Sequence, residues 1–296
     1  MTTPAVLALP NLDEAEVVVP APGPGPGNWA GAASAILVND VYWLTWRERR
    51  PLTDGRGVAV HVARSVDGVH FEEVASVRRE DFGAESFERP VLLPVPGVGW
   101  RLYLSCATPA SKHWWVDSLT AATVEGIADG ERHLVLAGDA DTAVKDPVIR
   151  AVDGGWEMWL CCHPLTEVGE EDRMTTRRLT SADGLVWQDE GEVLAGRPGH
   201  WDARGARVTT VVADDPLTVL YDGRPDAGSN WYEQTGLAVW DGERLAADDH
   251  FEPLRSPHGR GALRYASAVA LPDGRVRHYF EAARPDGAHD LVTSIG

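Results

Sequence analysis

Lysine and cysteine are nearly absent from this sequence. Lys112 and Lys145 are the two lysines among 296 residues, which disfavours Schiff-base chemistry, although Lys145 adjoins an aspartate. Three cysteines occur, at Cys106, Cys161 and Cys162, and the adjacent pair points to opposite faces of a strand. A disulfide framework and a Cys-x-x-Cys zinc or redox motif are therefore not expected. Basic residues are outnumbered, 27 Lys and Arg against 45 Asp and Glu, giving a net charge of -18. That excess argues against nucleic acid or an anionic membrane as a partner. The first twenty residues carry no basic n-region and no long apolar run, so no secretion signal and no transmembrane span are expected and the location expected is cytoplasmic. No Gly-x-Ser-x-Gly elbow, His-Glu-x-x-His, Walker loop or dinucleotide fingerprint occurs, no ligand spacing predicts a metal site, and no cofactor is expected.

What the chain has in quantity is 12 Trp, 20 Pro and 30 Gly, a mixture of aromatics and sharp turns typical of all-β proteins. It also repeats. Five apolar or aromatic runs each end in proline, at Pro51, Pro109, Pro164, Pro225 and Pro285, with intervals of 58, 55, 61 and 60 residues. Such a period accounts for the whole length in five units. Each unit begins with an apolar segment (SAILVND, ERPVLLPVPG, KDPVIRAVDG, ARVTTVVADD, ASAVALPDG), turns at Asn, Asp or Gly, and continues into the proline-terminated run. Third and fourth strands follow, joined by turns that read SVDGVHF at Ser65 to Phe71 and SADGLVW at Ser181 to Trp187. The Asp-Gly pair favours a tight hairpin.

Four antiparallel strands repeated five times predict an all-β, five-bladed β-propeller occupying residues 1–296 as one domain. The last unit is one strand short, and the segment Glu14 to Pro20 is expected to supply its outer strand and close the ring. GPGPG at Gly23 to Gly27 reads as a stiff connector, because its prolines lack the N–H donors of a phosphate loop.

In an antiparallel hairpin, the start of the first strand and the end of the second lie at the same edge. The polar residues there should gather around one funnel: Glu88, Arg89, Asp146, Asp202, Arg204 and Arg264 from first-strand starts, with Arg50, His163, Asp222, Arg224, Glu281 and Arg284 from second-strand ends. Paired carboxyl groups suit glycoside cleavage, one protonated and one ionised. Trp201, beside Asp202, is the indole best placed to stack on a sugar ring, ahead of Trp29, Trp114 and Trp115. His163 is a candidate hydroxyl partner. Other roles fit the same residues: Glu88 and Arg89 in an inter-blade ion-pair network, Asp146 as a turn cap.

ERPV and KDPVI at two successive blade starts, followed by SxDGxx(F/W) hairpins, resemble the five-bladed propeller glycosidases: arabinanases, β-xylosidases and, more distantly, invertase-like enzymes and mannoside phosphorylases. The resemblance implies a small-molecule sugar or oligosaccharide as substrate. It places Asp146 as the carboxylate that tunes the acid and Asp202 where the family's acidic Glu stands. The family's first-blade base is missing, since Ala32, Ala33, Ser34 and Ala35 occupy its place. Glu88 then serves as base, with Arg89, His163, Trp201, Arg204, Arg264 and Glu281 as substrate contacts. The resemblance implies inversion, which requires carboxyl groups roughly 6.5 to 9.5 Å apart. The lost base motivates a second reading, a carbohydrate-binding propeller without hydrolysis. A third keeps the funnel for a lyase, isomerase or cyclase.

Overall fold

The structure is a computed structural model and describes residues 7–296. Among these, every regular element beyond five short 3-10 turns is a β-strand. After β1 (Glu16–Val19) come β2 (Trp29–Val38), β3 (Val41–Arg49), β4 (Gly57–Ser65) and β5 (Glu72–Arg78). The second group is β6 (Val91–Val95), β7 (Gly99–Ala107), β8 (Trp114–Ala121) and β9 (Glu131–Leu136). The third is β10 (Thr142–Val152), β11 (Gly155–Pro164), β12 (Thr175–Ser181) and β13 (Gln188–Leu194). The fourth is β14 (Gly205–Asp214), β15 (Leu217–Arg224), β16 (Gln234–Trp240) and β17 (Leu245–Ala247), and β18 (Leu263–Ala270), β19 (Val276–Ala283) and β20 (His289–Ile295) end the chain.

The second, third and fourth groups are separate four-stranded sheets with neighbours in chain order. The remaining strands form one eight-stranded sheet, in which β2 to β5 and β18 to β20 meet at one parallel pair, Trp29 with His289, and β1 pairs β20. Glu16 lies opposite Thr293 and Val17 opposite Val292, so the Glu14 to Pro20 segment does pair with the last strand. The proline-terminated runs are β3, β7, β11, β15 and β19, the second strand of each meander.

The Ser-x-Asp-Gly turns owe their shape to side chains. Ser65 Oγ accepts from the N–H groups of Asp67 and Gly68, while Asp67 Oδ1 accepts from those of Val69 and His70. Ser181 and Asp183 repeat the pattern. Gly68 and Gly184 adopt φ of 75° and 73°, a left-handed turn that disfavours any side chain. Each turn is then tied to another group by a buried tyrosine: Tyr279 OH donates to Gly68 O and Tyr103 OH to Gly184 O, both at 2.8 Å.

Apolar cores lie between consecutive groups. Val60 and Val77 meet Leu92 and Leu102, Val91 and Tyr103 meet Ile149 and Met158, and Trp159 and Leu194 meet Val208 and Tyr221. Leu220 and Leu237 meet Leu263 and Phe280, and Tyr279 and Leu291 meet Leu44 and Trp46. Full burial of such side chains stabilises by about 1.5–3 kcal/mol each.

Three first strands break register at the same point, between Gly31 and Ser34, Lys145 and Val148, and Arg264 and Ser267. Within each break one residue takes a left-handed backbone: Ala32 (φ 54°), Asp146 (φ 51°) and Tyr265 (φ 55°). A bulge of this kind re-aims a side chain away from the pleat.

Candidate active site

The re-aimed residues and the second-strand ends meet in a buried ladder of alternating charge. Arg47 on β3 pairs with Glu88 and, at 3.1 Å, with Glu281. Arg264 bridges Glu281 at 2.8 Å and Glu233 at 2.7 Å, and Arg224 takes the other oxygen of Glu233 at 2.6 Å. On the other side Arg207 bridges Asp146 at 2.8 Å and Asp222 at 2.6 Å. Tyr265 OH joins the two arms, lying 3.2 Å from both Glu88 Oε2 and Asp146 Oδ2 and accepting from Arg207 Nη1 at 2.8 Å. Glu88 and Asp146 therefore lie within two hydrogen-bond lengths of each other. The phenol has one proton and can donate to one carboxylate at a time.

Burial alone would raise the pKa of Glu88, yet Arg47, Lys145 and Arg56 hold it well below the ordinary carboxylate range. Asp146 is also lowered: burial opposes it, but Lys145 and Arg207 prevail. Glu281 is brought to about 2 against its burial by Arg264, His289 and Arg47. Asp222 goes the other way, because its burial outweighs Arg207.

Above the ladder opens a pocket of about 490 Å³. Lys145, His163 and Arg224 line it, with Trp114 and Trp231 among its walls. Arg56 and Lys112 add further cations, and Glu171 and Asp172 supply carboxyl groups. This cationic mouth contrasts with the acidity of the chain as a whole. Asp172 is lowered against its burial by Arg204 and Arg224. Glu171 accepts from the backbone N–H of Gly169 at 2.9 Å, and among the described residues no cation pairs with it. His163 Nδ1 lies 2.8 Å from the carbonyl of Glu171 and must donate to it. Burial, then Lys145, lowers its pKa to about 3. The neutral ring presents Nε2 to Cys161 Sγ at 3.5 Å, and Cys161, pushed up to about 12 mainly by burial, stays a thiol.

The residues expected at one funnel are divided by the structure. Glu88, Asp146, Arg264 and Glu281 belong to the ladder, and His163 lines the pocket. Arg204 supports the pocket from behind through Asp172, at 2.6 Å. Arg89 gives its backbone N–H to Asp146 Oδ1 at 3.0 Å, but its side chain turns to the carbonyl of Ala266, at the inner end of a second pocket. Asp202 shares no ion pair or hydrogen bond with these among the described residues, although its Cβ packs on Gly223, between Asp222 and Arg224. It is fully buried against Arg197, at 2.9 Å, and Tyr221 OH, at 2.8 Å. Trp201 stacks on Tyr221 rather than lining the pocket, with centroids 5.6 Å apart.

Sequence reasoning passed over Arg47, Arg207, Glu233 and Tyr265. It also missed Arg49, 2% exposed, whose guanidinium stacks 3.9 Å from the Trp29 ring and 4.8 Å from Trp231. The Arg49 pKa falls to about 9 through burial and the neighbouring Arg47. No cluster of three or more metal-ligating side chains occurs among the described residues, and none of their helices is long and apolar enough to cross a membrane.

No known family model and no curated protein sequence matches the chain. Solved structures do resemble it. A thermostable family-43 glycoside hydrolase is 14% identical with a TM-score of 0.68, the match covering 90% of this chain and 88% of that one. An alpha-L-arabinofuranosidase from Lactobacillus brevis is 11% identical with a TM-score of 0.69, covering 90% of each chain. A beta-1,2-mannobiose phosphorylase from Listeria innocua is 13% identical with a TM-score of 0.65, covering 97% of this chain and 92% of that one. At such identities the likeness is one of fold, and the chain has the propeller fold of these glycoside hydrolases and phosphorylases.

Proposed function

We propose that this protein is a five-bladed propeller glycoside hydrolase whose substrate enters the cationic pocket at one end of the axis. β1 would complete the last blade as its outer strand and so close the ring. Glu88 carries the reading: it is 5% exposed, paired with Arg47, and held ionised by Arg47 and by the charges of the pocket cations Lys145 and Arg56. It would take a proton from the water that attacks the anomeric carbon. Asp146, sharing Tyr265 OH with Glu88, tunes that charge. The leaving oxygen needs a proton donor, and Glu171 on the pocket wall is assigned that place in preference to Asp202, which does not line the pocket. Trp231 offers a ring face for sugar stacking, and Lys145 donates to hydroxyls. Inversion is expected from the resemblance to the propeller glycosidases, and it requires room for a water between base and anomeric carbon.

The test is a glycoside panel read by mass spectrometry and by NMR of the product anomer. Glu88→Gln and Glu171→Gln should each lower kcat by about 10² or more, while Asp202→Asn should leave it within a few-fold. Unchanged turnover in Glu88→Gln would defeat the reading, and glycan binding without turnover in the wild type would favour the non-hydrolytic module. The mouth cations Arg56, Lys112, Lys145 and Arg224 support a second reading, phosphorolysis, in which phosphate replaces water as acceptor. A sugar phosphate product formed only with inorganic phosphate would establish it.

A further inference from the structure

The axis has a second opening. At the end away from the ladder's cationic mouth lies a separate pocket of about 300 Å³, lined by the later parts of β2, β10, β14 and β18. Arg89 lies at its inner end and is 2% exposed. Arg47, Arg207, Arg224 and Arg264 all hold carboxylates. Among the described residues no carboxylate pairs with Arg89. Its one side-chain bond among the described residues goes from Nη2 to the carbonyl of Ala266 at 3.4 Å, and its buried Nε and Nη1 have no partner there. An unpaired buried guanidinium is costly. Burial, opposed by Asp146, already lowers its pKa to about 10.

The other groups in the pocket suit a particular counter-ion. Ser34 and Ser267 bring hydroxyls, and Ser267 Oγ accepts from Ala35 N–H at 3.0 Å, which leaves its proton free to donate. Val148, Ile149, Val211 and Ala268 make an apolar wall. Asp214 at the rim is paired with Arg150 and so does not add an uncompensated negative charge. We propose that this far pocket binds a small oxyanion, its oxygens on the Arg89 guanidinium and the Ser34 and Ser267 hydroxyls. The apolar wall favours a carboxylate with a short alkyl chain over phosphate. The proposal does not rest on the glycosidase reading, although Arg89 touches the ladder through the backbone N–H that it donates to Asp146.

Calorimetric titration of acetate, n-butyrate and inorganic phosphate into the full chain tests it. The wild type should bind n-butyrate at one saturable site, more tightly than acetate. Arg89→Gln should weaken binding about tenfold or more, the loss of one charge-assisted bond. Ser34→Val, on a partly exposed side chain, should weaken it by a smaller factor even where Arg89→Gln fails to fold. Lys112→Gln, at the opposite mouth, should leave it unchanged. Phosphate binding with the same dependence on Arg89 and Ser34 supports the oxyanion site from the inorganic source. No binding of any of the three to wild type, or binding that ignores Ser34 and Arg89 or is lost with Lys112, overturns it.

Discussion

Removing the Arg207 side chain tests the ladder at its most connected point. Arg207→Met keeps an unbranched side chain of similar length but deletes the bonds to Asp146, Asp222 and Tyr265 OH. It also removes a guanidinium stacked 3.8 Å from the Tyr265 ring. Asp146 keeps Lys145 at 3.4 Å. Asp222 keeps only neutral donors, the Tyr265 N–H at 3.0 Å and the Thr235 hydroxyl at 3.3 Å. Breaking a buried pair from one side costs about 3–5 kcal/mol, a large share of a stability of roughly 5–15 kcal/mol.

The pH dependence identifies the cause. Asp222 is already raised with Arg207 in place, and without it the folded pKa climbs further above the unfolded value of 3.8. Between those two values the folded state holds more protons, so stability falls as pH rises through that window. Urea unfolding of Arg207→Met should therefore show a deficit that is small in acid and full at neutral pH. Adding Asp222→Asn should restore most of it. A neutral-pH loss below about 1 kcal/mol, or a deficit independent of pH and of Asp222→Asn, would refute the reasoning.

Three further outcomes are expected. Glu281 is held at about 2 against an ordinary 4.5; its contribution to stability is complete above 4.5 and lost as pH falls through 2, so acid unfolding should begin in that interval, as followed by near-UV circular dichroism. Tyr103→Phe and Tyr279→Phe should each cost about 1 kcal/mol by urea unfolding, the worth of one buried hydrogen bond, and Tyr42→Phe, which has no such bond among the described residues, should cost less. Deleting residues 1–20 should lower Tm by exposing the edge of β20, and an unchanged Tm would remove β1 from the closure.

The strands were readable because proline and Asp-Gly punctuate them, so β3, β7, β11, β15 and β19 follow from composition and spacing. The ladder was only half readable. Glu281 and Arg47 both stand four residues before their repeat prolines, yet Arg50, the more conspicuous charge, points outward to Glu48 and the carbonyl of Pro22. Parity along the strand would have chosen Arg47. Tyr265 carries no charge in the sequence and becomes part of the ladder only through a left-handed backbone that no local pattern announces. Glu233 lies in the irregular stretch before β16, outside any periodicity. Asp202 adjoins a strand start in sequence, but the turn from Arg197 to Gly205 sets it against Tyr221 and Gly223, on the face of β15 opposite Asp222 and Arg224.

The matched breaks at Ala32, Asp146 and Tyr265 make the axis modular. One backbone socket accepts a methyl group, a carboxylate or a phenol, and the flanking strands keep their hydrogen bonds in each case. Chemistry at the centre can then drift by single substitutions without redesign of a blade, within the limit set by neighbours already in place. At the first socket that limit is visible: Glu281 Oε2 accepts from the Ala32 N–H at 3.2 Å, and a Cβ on Gly31 would overlap the same carboxylate. An acidic residue introduced at position 32 would bring a second carboxylate beside Glu281, and the two would compete for the guanidinium groups of Arg47 and Arg264.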